Sequence, residues 1–167
     1  MLLSRIFLVG FMGAGKSRVG NQLASRLGWR FIDLDAEIEQ TEGLPVREIF
    51  AKFGEPRFRG IEREHLQRLC TETQVVIALG GGAYIDEQNR NLADSAGLTV
   101  WLKVSFDNVV HRVTMDGTRP LFADPDQARR LFEDRAPVYS MARIHVATDG
   151  REPAAIVDEI LNQMGES

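Results

Sequence analysis

Cysteine is almost absent from the 167 residues: Cys70 stands alone, so neither an intramolecular disulfide nor a cysteine-based zinc site can form. Lysine is scarce too. Only Lys16, Lys52 and Lys103 occur among the 20 basic residues. Codon composition explains such a bias, so each arginine has to be judged by its position. His65, His111 and His145 share no metal-ligand spacing. Excess positive charge is also missing: the net charge of −4 argues against a general nucleic-acid-binding surface. No apolar run nears the ~20 residues of a membrane span. The first residues run straight into an apolar segment, without a basic leader or a cleavage site. These absences lead us to expect a soluble, cytoplasmic protein that binds neither nucleic acid nor membrane. With 44% hydrophobic and 26% charged residues, the chain suits one domain with a sizeable core.

What is present begins with Gly10-Phe11-Met12-Gly13-Ala14-Gly15-Lys16-Ser17. This is G-x-x-x-x-G-K-S, the phosphate-binding loop pattern. Residues 5–9 before it read as a buried strand. Val19, Leu23, Ala24 and Leu27 after it have helical spacing. Glycines let backbone N–H groups close around phosphate oxygens, and the helix beginning near Lys16 points its positive end at the anion. Lys16 would reach the β/γ-phosphates, and the Ser17 hydroxyl would sit on Mg²⁺. The alternative, a glycine-rich turn that only caps a helix, does not explain the strand–loop–helix context. We expect nucleotide binding.

Further strands are predicted over 29–33, 74–79, 98–102 and 144–146. Helices are predicted from Asp35, as cap, to about 41, and over 46–53, 56–70, 86–93, 106–115 and 126–139, the last possibly interrupted near Pro137; a closing helix starts at Pro153. On the 56–70 helix, Phe58, Ile61, His65, Leu66 and Leu69 form one side, with Arg57, Arg59, Glu62, Arg63, Glu64 and Arg68 on the other. Strands alternating with helices imply an α/β fold, a five-stranded parallel sheet with helices on both faces. Right-handed crossovers put every strand's C-terminal end on one edge, where ligands bind. The phosphate loop, the Asp33/Asp35 pair and Gly80-Gly81-Gly82 all follow strands and should meet there.

Each of these groups admits two readings. Asp33 and Asp35 can hold Mg²⁺ and orient or deprotonate an acceptor hydroxyl, or they can supply a helix cap and a solvent-exposed acid. Three glycines at the end of a buried strand suggest close approach of the backbone to a ligand, since one would suffice for a turn; a plain turn is the alternative. Arg59 can bind a ligand or pair with Glu62 or Glu55 on its own helix. Arg119 lies in a turn-rich segment where a phosphate-clamping lid would fit, and Arg135 precedes Pro137 and Tyr139. Arginine suits bidentate carboxylate and phosphate binding.

Taken together, GFMGAGKS, Phe31-Ile32-Asp33-Leu34-Asp35, Gly54-Glu55-Pro56-Arg57-Phe58-Arg59-Gly60-Ile61-Glu62, Leu79-Gly80-Gly81-Gly82-Ala83, Arg119-Pro120-Leu121 and Arg135-Ala136-Pro137-Val138-Tyr139 resemble the shikimate kinase family. They occur in the family's order and spacing over essentially the whole chain. The resemblance implies a single P-loop kinase domain with sheet order 2-3-1-4-5, a substrate-binding region at about 34–62 and a lid at about 113–125. It implies transfer of the ATP γ-phosphoryl group to the 3-hydroxyl of shikimate, in aromatic amino-acid biosynthesis, by a monomer using ATP and Mg²⁺. By the same resemblance Asp35 contacts the shikimate hydroxyls as candidate base, and Arg59 and Arg135 grip its carboxylate beside Gly80, Gly81 and Gly82. Asp33 and Ser17 support Mg²⁺. Gly13, Ala14, Gly15, Lys16, Ser17 and Arg18 bind the nucleotide, Arg119 reaches its phosphates, and Arg112 lies against the adenine. Lys16, Asp35 and Arg119 form the catalytic set.

Two positions depart from the family pattern. Arg18 replaces the usual Thr, whose hydroxyl helps hold the α-phosphate, and Leu34 replaces Ser or Thr between the two aspartates. The rival readings are a kinase for another hydroxy acid, such as gluconate or quinate, and a nucleotide-binding relative without turnover.

Overall fold

The computed structural model describes residues 3–116 and 124–165. Among these, the strands β1 (Arg5–Val9), β2 (Arg30–Asp33), β3 (Val75–Ala78), β4 (Leu98–Lys103) and β5 (Ile144–Ala147) form one sheet. Its order is β2-β3-β1-β4-β5, and every neighbouring pair is parallel. Residues 6–9 and all of β3 are buried, as strands covered on both faces must be. The register brings Leu8, Ala78 and Asp33 level with one another, so the three loops that follow β1, β3 and β2 leave at one edge.

Helices α1 (Lys16–Leu27), α2 (Leu34–Glu42), α3 (Val46–Phe53), α4 (Glu55–Leu69), α5 (Glu87–Ala96), α6 (Phe106–Asp116), α7 (Pro125–Tyr139) and α8 (Pro153–Gly165) surround the sheet. Among the described residues, no helix is long and apolar enough to cross a membrane.

Four local expectations change. Asp33, not Asp35, caps α2: its extended backbone ends β2, and its carboxylate accepts from Ala36 N–H at 3.1 Å. The helix therefore starts earlier, and Asp35 falls in its first turn. Helix α7 runs through Pro137 unbroken; the ring removes one N–H donor close to the C-terminal end, where little of the ladder remains to be lost. Helix α5 continues to Ala96, beyond the expected end at 93. Glu62 does not belong to the solvated face of α4: it is buried with Phe58, Ile61, Leu66 and Leu69. Positions 58, 61, 62, 66 and 69 follow the helical repeat, so a carboxylate occupies a place in the apolar stripe. Leu34 is fully buried, which explains how an apolar residue is accommodated between the two aspartates. Cys70 is half-buried against the core.

Candidate active site

The loop between β1 and α1 adopts a shape that its glycines permit. Gly13 and Gly15 have φ of 80° and 85°, the left-handed region that side chains disfavour. Gly15 caps α1, so Lys16 and Ser17 open that helix. The Lys16 ammonium donates to the Gly10 carbonyl at 2.6 Å and the Phe11 carbonyl at 3.4 Å. From α6, the Arg112 guanidinium donates to the Gly13 carbonyl. The Ser17 hydroxyl donates to Asp33 at 2.9 Å, joining the phosphate loop to the end of β2. One oxygen of Asp33 thus caps α2 and the other meets Ser17.

The three glycines after β3 show what their missing side chains make room for. A Cβ on Gly80 would lie 2.7–2.8 Å from the Asp35 carboxylate oxygens. On Gly81 it would lie 3.1 Å from an Arg135 nitrogen, and on Gly82 it would run into the Arg59 guanidinium. One carboxylate and two guanidiniums therefore rest on three consecutive backbone positions. A plain turn does not explain this arrangement. Tyr139, at the end of α7, donates from its hydroxyl to the Gly81 carbonyl, and so anchors the helix that carries Arg135 to the glycine segment. Burial pushes the Tyr139 phenol up to about 12 against the opposing effect of Arg135, so it remains a donor at any physiological pH.

Arg59 pairs with Glu62 and Glu55 on its own helix while lining the site's cavity. Its Nη1 donates to the two Glu62 oxygens at 2.9 and 3.1 Å, and its Nε lies 3.5 Å from Glu55. Its guanidinium also packs over Phe58 and Phe50, 5.3 and 5.8 Å from the ring centroids. Burial holds Glu62 above the ordinary carboxylate range, with the neighbouring Arg59 pulling it down. Burial likewise raises Asp35, and Asp33 adds to this, while Lys16 and Arg59 oppose it. A carboxyl poised above its ordinary value is suited to taking a proton.

These groups line one cavity of about 660 Å³. It brings together Gly13, Ala14, Gly15, Lys16, Ser17, Arg18, Asp33, Asp35, Arg59, Gly80, Gly81, Gly82, Arg112 and Arg135, all of them predicted site residues. Six cations face four acids in its lining, in a protein of net charge −4. The cavity therefore favours anionic ligands. Arg119 lies outside the described residues, as does 117–123 of the expected lid. Thr148, Arg151, Pro153 and Ile156 also line the cavity, and the sequence patterns did not mark them. They follow β5 at the same sheet edge as the other loops, and that rule could have found them.

Among the described residues no three His, Cys, Asp or Glu side chains gather into a metal cage. The Ser17–Asp33 pair nevertheless suits Mg²⁺ bound with a nucleotide. That ion takes oxygen ligands, keeps several waters, and is held by one or two protein groups plus substrate phosphates.

Comparison with known proteins points to one family. A family model described as shikimate kinase matches residues 12–165. The shikimate kinase of Sulfurihydrogenibium sp. is 40% identical, with 97% of this chain and 98% of that protein aligned. That of Moorella thermoacetica is 44% identical, over 93% of this chain and 91% of the relative. Among solved structures, shikimate kinase from Acinetobacter baumannii in complex with shikimate superposes with a TM-score of 0.92 at 34% identity, covering 98% of this chain and 94% of that one.

Proposed function

The chain belongs to the shikimate kinase family, and on that premise we propose how its residues move the ATP γ-phosphoryl group to the 3-hydroxyl of shikimate. The observation that carries the assignment of roles is the triple glycine with Asp35, Arg135 and Arg59 seated on its three positions. An acceptor with a carboxylate at one end and hydroxyls at the other needs two cations and an acid in this relation. Arg59 and Arg135 take the carboxylate, and Asp35 takes the hydroxyl proton or orients its oxygen. Region 34–62 is the acceptor-binding part of the domain, with a lid at about 113–125, and the enzyme acts as a cytoplasmic monomer.

ATP occupies the other end. The phosphate loop amides and Lys16 receive its phosphates, and Arg112 lies on the adenine side with Arg151 and Pro153. Ser17 and Asp33 would hold Mg²⁺, which would supply positive charge against the nucleotide phosphates. Catalysis in this site consists of positioning and charge neutralisation, with no covalent step asked of the protein.

The test is ADP release by the purified chain with ATP, Mg²⁺ and a panel of hydroxy acids. Shikimate is the expected acceptor, and gluconate or quinate turned over in preference would overturn the assignment. In the same assay Arg59→Ala and Arg135→Ala each weaken shikimate binding by about 1.5–3 kcal/mol, the range for hydrogen bonds to charged groups.

Arg18 belongs to the nucleotide end. It is exposed in the cavity wall, and the first turn of α1 contains no acidic residue to balance Lys16 and Arg18 against the helix dipole. A nucleotide phosphate supplies that balance. Arg18→Thr is expected to raise the ATP KM about two- to fivefold, the range for exposed ion pairs, with the difference shrinking as salt is added. An ATP KM unchanged at low salt would show that Arg18 contributes nothing to nucleotide binding.

A further inference from the structure

Behind the acceptor end of the cavity, a polar chain leads back from Glu62 in its wall. Asn89, in the first turn of α5, is fully buried. Its side-chain amide donates to Glu62 Oε1 at 3.4 Å, the oxygen that also accepts from Arg59 at 2.9 Å. Its own Oδ1 is buried without a hydrogen-bond partner. The start of α5 is held in turn by Asp86, which accepts from the Asn89 backbone N–H at 3.0 Å and from Arg63 of α4 at 2.8 Å. Asp86 thereby ties α5 to α4, and Asn89 presents its amide to the buried face of α4.

A carboxylate as buried as Glu62, 1% exposed, is costly unless its oxygens are hydrogen-bonded. Arg59 donates to both oxygens, and Asn89 adds a second donor on Oε1. The charged groups that act on Glu62 are Arg59 on its own helix, Asp35 on α2 and Asp86 before α5; the two acids disfavour its charge and Arg59 favours it. A neutral amide adds a donor to Glu62 without placing a second positive charge beside Arg59.

We infer that Asn89 is a positioning residue for the acceptor: it fixes the Glu62 carboxylate, whose grip on one nitrogen of Arg59 keeps the guanidinium aimed across Gly82 into the cleft. This inference rests on the proposed role of Arg59 as the shikimate carboxylate ligand. An unpartnered amide oxygen is retained in the core for the sake of the donor on the other end of the same side chain. Loss of the donor lets the Glu62 carboxylate rotate or take a proton, and the Arg59 guanidinium then loses its fixed direction.

A double-mutant cycle on the full chain tests this, with KM for both substrates and kcat as readouts. Asn89→Leu is expected to raise the shikimate KM about tenfold, the loss associated with one hydrogen bond to a charged group, and to leave kcat and the ATP KM within about twofold of wild type. In an Arg59→Ala background it should add nothing further, because its effect passes through Arg59. An equal rise in both backgrounds, or a matching rise in the ATP KM, would make Asn89 a structural residue only and overturn the inference. If Arg59→Ala leaves the shikimate KM unchanged, the acceptor-site reading itself fails, and that result is visible without any variant at 89. Should Asn89→Leu fail to fold, Asn89→Asp keeps the volume. Its introduced carboxyl repels Glu62 at neutral pH and donates a proton to it in acid, so its shikimate KM should fall toward wild type as the pH is lowered. A constant ratio to wild type across pH would count against the inference.

Discussion

Lys16→Ala is expected to lower kcat by roughly 10²–10³-fold or more, the cost of removing a preorganised donor at developing charge, while the shikimate KM and the melting temperature stay close to wild type. Lys16 opens α1, and its ammonium lies against the Gly10 and Phe11 carbonyls of the loop, at the place where a transferring phosphoryl group would meet it. The left-handed turns of the loop at Gly13 and Gly15 and the burial of Ala14 remain in the alanine variant. A second signature accompanies the loss of rate. Lys16 is one of the two cations that hold the Asp35 carboxyl down, so its removal should shift the acid limb of the residual activity to higher pH. Near-wild-type turnover by the alanine variant would remove Lys16 from the mechanism.

Asp35→Asn should stop transfer by about 10²–10⁴-fold, the range of a general base, and should also make the protein more stable at neutral pH. The sign follows from the burial of Asp35, which raises its pKa in the folded chain. In the unfolded chain Asp35 ionises at its ordinary value; in the folded chain it ionises only at higher pH. Charging it therefore costs folding stability. That cost is absent below the unfolded pKa, grows as pH rises through the window between the two values, and is complete above the folded one. Asparagine carries no such cost. Its melting temperature should exceed that of wild type at neutral pH, by about 2–4 °C for each kcal/mol recovered in a chain of this size, and the difference should vanish in acid. An inactive variant that is also less stable at neutral pH would mean that Asp35 is held by favourable contacts rather than stored there at a cost. The same raised pKa sets the wild-type pH profile: kcat/KM should decline on the acid side at a pH above the ordinary aspartate range.

Much of this site was legible in the residue order because its parts sit at the ends of strands. A run such as Val75-Val76-Ile77 is apolar at every position only when both faces are covered, and covered strands in sequence with helices must be parallel. Parallel strands share an edge, so the phosphate loop, Asp33/Asp35 and the triple glycine had to converge. Thr148, Arg151, Pro153 and Ile156 obey the same rule but carry no motif, and so went unnoticed until the cavity showed them. Glu62 was misread for a different reason. Its type suggested the solvated face of α4 and its position suggested the apolar stripe, and charge type outweighed periodicity in the reading.

The chain order alone determined the fold class, the phosphate loop and the family, because these depend on local patterns: hydrophobic period, glycine spacing and short blocks of charged residues. It left open whether the Asp33/Asp35 pair supplies a helix cap or holds Mg²⁺ and an acceptor hydroxyl, and whether Arg59 pairs with Glu62 or Glu55 or faces a ligand. Tertiary structure shows Asp33 capping α2 and meeting Ser17 at once, and Arg59 paired with Glu62 in the cavity wall. A carboxylate has two oxygens and a guanidinium several donors, and only the positions of neighbouring elements decide where each points. The fit of Asp35, Arg135 and Arg59 to three consecutive glycines was likewise beyond any sequence pattern. It joins residues from α2, α7 and α4 across separations that the chain order records but does not measure.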